Sequence, residues 1–90
     1  MNDRLLATVA TAMAQLITSI DMTDDDEVDP DLATRWLEDV AATFGRLSSS
    51  DRLRLAQFFR DAAEHESRAA VRASMMELPN DLGLEDEGED

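Results

Sequence analysis

The chain offers few side chains that could do chemistry. It has one histidine, no cysteine and no tyrosine. A hydrolytic site needs a base held between an orienting acceptor and a nucleophile. His65 sits between Glu64 and Glu66, and on a helix such immediate neighbours point away from it. The residues it can meet one turn away are Asp61 and Ala69. That surrounding reads as a solvated imidazole and not as a catalytic base.

Carboxylates are abundant, but they come in runs. Paired carboxylates do acid–base work when a cleft holds them and desolvates one; runs solvate and repel one another instead. The stretch Asp21-Met22-Thr23-Asp24-Asp25-Asp26-Glu27-Val28-Asp29 invites a calcium test. An EF-hand loop needs a glycine at position 6 and a bidentate glutamate at position 12. Counted from Asp21, those positions hold Asp26 and Leu32; counted from Asp25, they hold Pro30 and Trp36. Neither register fits. Without cysteine there is no disulfide and no thiolate zinc site. The three glycines, at 45, 83 and 88, belong to no phosphate-cradling pattern. No catalytic, cofactor-binding or metal-binding residue is singled out, and no cofactor is expected.

Arg46, Arg52, Arg54 and Arg60 raise the question of a DNA-reading helix. They share no face, Asp51, Asp61 and Glu64 are interleaved with them, and no basic arm accompanies them. They are better read as partners for local acids or for the acidic run. Trp36, Phe44, Phe58 and Phe59 read as core. Adjacent helical residues lie about 100° apart, so one of Phe58 and Phe59 falls at the edge of that core. Met75 and Met76 pose the same choice between filling the interior and lining a binding surface.

The elements that must carry these residues are helical. Alanine supplies 13 residues and leucine 11, against 6 for valine and isoleucine together. Alanine and leucine favour helices, and β-branched residues favour strands. Leu5, Leu6, Val9, Met13, Leu16, Ile17 and Ile20 fall on one arc of about 120° at helical spacing. This predicts a first helix over 3–20, with Asn2 as its cap and that arc as its core face. Its other side, Ala7, Thr8, Thr11, Ala14, Gln15 and Thr18, is unusual. No ionisable residue occurs from Leu5 to Ile20, so this helix is read either as buried on both sides, as a central element or in a dimer interface, or as carrying a tolerated Thr/Ala surface.

Asp29 and Pro30 supply the cap and first position of a second helix over 30–45, with Gly45 as its stop. Leu32, Trp36, Leu37, Val40, Phe44 and Leu47 share its core face. Ser48-Ser49-Ser50-Asp51 has the form of a capping box and opens a third helix over 49–65, whose stripe is Leu55, Phe58, Phe59, Ala62 and Ala63. Leu53 falls off that stripe. Continued without a break, this helix would put Glu66 in its apolar face. A break near His65–Ser67 is therefore preferred, with Ser67 capping a fourth helix over 68–77 and Pro79 ending it. The alternative is one continuous helix to Leu78. The expected fold is all-α, a three- to four-helix bundle occupying 1–84, with an acidic loop and a flexible acidic tail at 85–90.

Charge bounds the function. The chain has 90 residues, 21 of them acidic and 8 basic, for a net charge of −13. Residues 24–31 and 69–90 hold nearly all of the imbalance. Such a field repels nucleic acid and anionic lipid and favours basic partners. No run of 18 apolar residues is present, so no membrane span is expected. Ala12-Met13-Ala14 resembles a signal-cleavage site, but Asn2-Asp3-Arg4 carries no net positive charge. The expected compartment is the cytoplasm. All basic residues are arginine, which fits GC-rich bacterial coding and concerns origin alone. A non-enzymatic protein that engages a basic partner, as an inhibitor, immunity-type protein or adaptor, is the leading expectation, with Asp24, Asp25, Asp26, Glu27 and Asp29 as its contact residues. The alternative is an assembly module that forms a homodimer through the uncharged face of its first helix.

Overall fold

The helix starts follow local chemistry. Asp29 accepts a hydrogen bond from the Asp31 N–H at 2.9 Å, ahead of Pro30. The Ser48 hydroxyl accepts one from the Asp51 N–H at 3.1 Å. Each side chain satisfies a donor that the first helical turn leaves without an internal partner. The computed structural model describes residues 3–85 and is all-α, with no strand among them. Its helices are α1 (Asp3–Asp21), α2 (Pro30–Phe44), α3 (Ser49–Glu64) and α4 (Ala69–Asp81). The capping position Asn2 and most of the expected tail, 86–90, lie outside the described residues. No helix is long and apolar enough to cross a membrane among these residues.

The third and fourth helices are separate, as the clash of their apolar faces predicts. His65 and Glu66 close the end of α3 through N–H bonds to Ala62 and Ala63 carbonyls. Ser67 is not the cap of α4. Arg68 holds that position with no side-chain cap bond of its own, and the Glu66 carboxylate accepts from the Arg68 N–H at 2.9 Å. The fourth helix also outlasts its expected end. Pro79 lies inside its last turn, buried beside Leu78. Proline forfeits one helical hydrogen bond, but burial of this turn draws the chain on to Asp81. Leu82 and Leu84 then fold back into the core, with the Leu84 N–H bonded to the Pro79 carbonyl at 2.9 Å.

The core joins α1, α3, α4 and the segment after α4. Its buried members are Ala10, Ala14 and Ile17; Ala56, Phe59, Ala62 and Ala63; and Met75, Leu78, Leu82 and Leu84. Five of the seven on α1 and α3 are alanine, which lets two helices approach closely. α2 contributes no buried residue. Leu37, Val40, Ala41 and Phe44 rest half-buried on the core, and the Phe44 ring meets that of Phe59 with centroids 6.2 Å apart.

Two expectations about burial are corrected. The large apolar arc of α1 is only partly its core face: Ile17 is buried and Met13 rests on the core, but Leu5, Val9 and Leu16 are 60, 51 and 58% exposed. The core side is displaced around the helix, onto Ala10, Ala14, Ile17 and Thr18. Close packing rewards a small-residue face that a partner helix can fit, and α3 supplies a matching one. Trp36, expected in the core, is 42% exposed, because α2 reaches the interior only through Leu37, Val40, Ala41 and Phe44.

Candidate functional site

The acidic loop is shaped by its own backbone. The Glu27 and Val28 N–H groups both bond to the Asp24 carbonyl, at 2.9 and 3.1 Å. Val28 is half-buried and shares a cavity of about 180 Å³ with Ile20, Ala33 and Leu37. That anchor leaves Asp24, Asp25, Asp26 and Glu27 exposed. Asp29 is exposed too, but its carboxylate is committed to capping α2. Of the five acidic residues read from the sequence, four are thus presented outward and the fifth has a structural task.

The arginines do not neutralise this loop. Arg54 pairs with Asp3, Arg60 with Glu85 and Arg68 with Glu66. Arg52 is buried and donates to the Leu47 carbonyl at 2.7 Å and to the Ser49 hydroxyl at 3.1 Å, tying the α2–α3 connection to α3. The Arg54 guanidinium also lies over the Phe58 ring, 5.8 Å from its centroid. Among the described residues no ion pair reaches residues 24–29.

The uncharged face of α1 is divided. Ala14 and Thr18 are buried inside the fold, Ala7 and Thr11 are half-buried, and Thr8 and Gln15 are exposed. Ala14 and Thr18 are therefore taken up by α1's own neighbours and are not open to a second chain.

Ala7, Thr11 and Gln15 also line an open cleft of about 350 Å³, with Phe58, Asp61, Ala62, His65, Glu66 and Met75. This cleft gathers the one imidazole and two carboxylates, so its chemistry matters. His65 Nδ1 lies 2.7 Å from the Asp61 carbonyl oxygen. The Asp61 carboxylate accepts from Gln57 Nε2 at 2.9 Å. Glu66 is held by Arg68 through Nε and NH2, at 2.9 and 3.1 Å. Those bonds, with the one from the Arg68 backbone, pull its carboxyl down to about 2. The Thr11 hydroxyl donates to the Ala7 carbonyl at 2.8 Å. The bonds of Thr11, Asp61, His65 and Glu66 thus run to their own or a neighbouring turn, and none of them joins a base to a nucleophile. No group of three or more such side chains among the described residues is placed to hold a metal ion.

Sequence reasoning missed an exposed apolar set: Leu5, Val9 and Leu16 of α1, with Trp36 of α2. The available signal was the absence of any charge from Leu5 to Ile20, which marks a helix with demands on more than one side. Comparison with models of protein families, with curated proteins and with solved structures gives no match to this chain.

Proposed function

We propose that this is a small non-enzymatic binding protein that engages a basic protein partner through the loop between α1 and α2. The observation that carries the reading is the set of four exposed carboxylates, Asp24, Asp25, Asp26 and Glu27, which no arginine of the described chain neutralises. A fixed cluster of like charge speeds encounter with an opposite surface and selects among partners. The net charge of −13 extends that field over the whole molecule. It opposes nucleic acid and anionic lipid as partners.

The test compares the full chain with a variant carrying Asp24→Asn, Asp25→Asn, Asp26→Asn and Glu27→Gln. Both are immobilised in a lysate of the native host at low salt and eluted with rising salt. A basic protein recovered near one-to-one by the parent, released by salt and lost from the variant, is the expected result. An identical set recovered by both proteins overturns the reading.

A further inference from the structure

We propose that the exposed apolar stripe of α1, together with the exposed Trp36 of α2, is the docking surface for an amphipathic helix of the basic partner. This rests on the basic-partner reading above and adds the apolar anchor that it lacks. Charged rims steer association, while affinity comes chiefly from a few apolar or aromatic residues that become buried.

Three observations build the surface. At about 100° per residue, Leu5, Val9 and Leu16 lie within about 40° of one another, and all three are more than half exposed. They form a straight ridge some 16 Å long, about the length of three helical turns. Second, α2 runs antiparallel alongside. Leu6 shares a cavity with Leu47 at one end, and Ile20 shares another with Ala33 and Leu37 at the other. On α2, Leu37, Val40 and Phe44 rest against the core, and Trp36 stands outside that edge, 42% exposed. Third, the ridge itself carries no charge, and the segment that follows it is the acidic loop.

Charge decides the occupant. Between Asp3 and Leu47 there are ten carboxylates and three arginines. A second copy would bring the same excess against itself, across an apolar strip too narrow to mask it. A helix with one apolar side flanked by lysine or arginine matches both features: its apolar side covers Leu5, Val9, Leu16 and Trp36, and its cations face Asp24–Glu27. Laying such a helix along a groove is a recurrent mode of peptide recognition.

Trp36 is the sole tryptophan and reports directly. The probe is a synthetic amphipathic peptide of leucine and lysine, set against a scrambled peptide of the same composition. With the full chain, the amphipathic peptide is expected to shift Trp36 emission to shorter wavelength and to saturate. Leu16→Glu is expected to weaken binding at least tenfold. Because Leu16 is exposed, this variant keeps its fold, which circular dichroism checks. The added negative charge alone would favour a basic peptide, so a loss reports the apolar contact. Leu16→Ala should weaken binding in the same direction by less.

Equal binding by the parent and Leu16→Glu, equal binding of the scrambled peptide, or no binding at all overturns the proposal. If in the first case neutralising 24–27 still abolishes binding, the basic-partner reading stands and only the apolar surface falls. Binding insensitive both to salt and to neutralising 24–27 removes the basic-partner reading itself. A dimer of the free chain with Trp36 shielded, dissociated by Leu16→Glu, shows that a second copy covers the surface and also overturns the proposal.

Discussion

The ring of Phe44 meets the ring of Phe59 at a centroid distance of 6.2 Å and a tilt of 59°. Phe59 is fully buried, whereas Phe44 is half-buried on a helix with no buried residue of its own. The contact is one of those by which α2 engages the α1–α3–α4 core, and α2, alone in having no buried residue, is the least secured of the four helices.

Phe59→Ala should therefore be severe, about 3–5 kcal/mol, as for a large aromatic removed from a core. Phe44→Ala should cost about 2 kcal/mol, since less of its ring is buried. The two should also differ in kind. Native-state hydrogen exchange of the Phe44→Ala variant should show α2 amides opening well below the global unfolding free energy, with α3 still protected. Uniform loss of protection across all helices would contradict the weak attachment of α2.

Thr18 is a second pressure point. It is buried, and its hydroxyl is a buried side-chain oxygen without a hydrogen-bond partner among the described residues. Thr8, Thr11 and Ser19 on the same helix each donate to the carbonyl four residues back. Thr18→Val keeps the branched shape and removes the unpaired hydroxyl. Leaving such a group buried costs about 1–3 kcal/mol, so the variant should be more stable by about 1 kcal/mol. In a domain of this size that raises Tm by roughly 4–8 °C. An unchanged or lower Tm in thermal denaturation would show that the hydroxyl is satisfied in solution.

Two carboxyl groups give opposite pH dependence. Burial, and then the nearby Asp81, raises the Asp21 carboxyl above its ordinary value of 3.8. Its ionisation costs the folded state, so the contribution is best below pH 3.8 and is lost as pH rises through the raised value. Asp21→Asn should be more stable than the parent at neutral pH, and the gain should vanish below pH 3.8. Asp21 ends α1, where the helix dipole also disfavours a negative charge. Glu66 runs the other way. Its carboxyl falls from 4.5 to about 2 through hydrogen bonds from Arg68. Its contribution is present above pH 4.5 and fades as pH falls toward 2, and Glu66→Gln should remove that segment of the acid-unfolding curve. Denaturant midpoints of the three proteins between pH 2 and 7 test both signs.

The sequence by itself determined what is local. Helical class followed from alanine and leucine usage, the starts of α2 and α3 from Asp29-Pro30 and Ser48, and the break after Glu64 from two apolar faces that one straight helix could not both bury. These are matters of backbone chemistry within a few residues, and they are legible without knowing what lies opposite. The exposure of Asp24–Glu27 was legible for the same reason, since a run of like charge has nowhere to go but solvent.

Which face of α1 is inside was decided only by the tertiary structure. The seven-residue hydrophobic arc is the stronger periodic signal, yet of it Leu5, Val9 and Leu16 are exposed, and Ile17 is buried in company with Ala10, Ala14 and Thr18. The alanines of α3 fit a small-residue surface closely, and complementarity between two helices appears in neither helix alone. The same holds for Trp36, left at the surface because α2 reaches the core only through its inner edge, and for Arg52, whose partner is a carbonyl in the preceding turn rather than an acid. The apolar surface proposed for docking is thus the part of the arc of α1 that folding leaves uncovered.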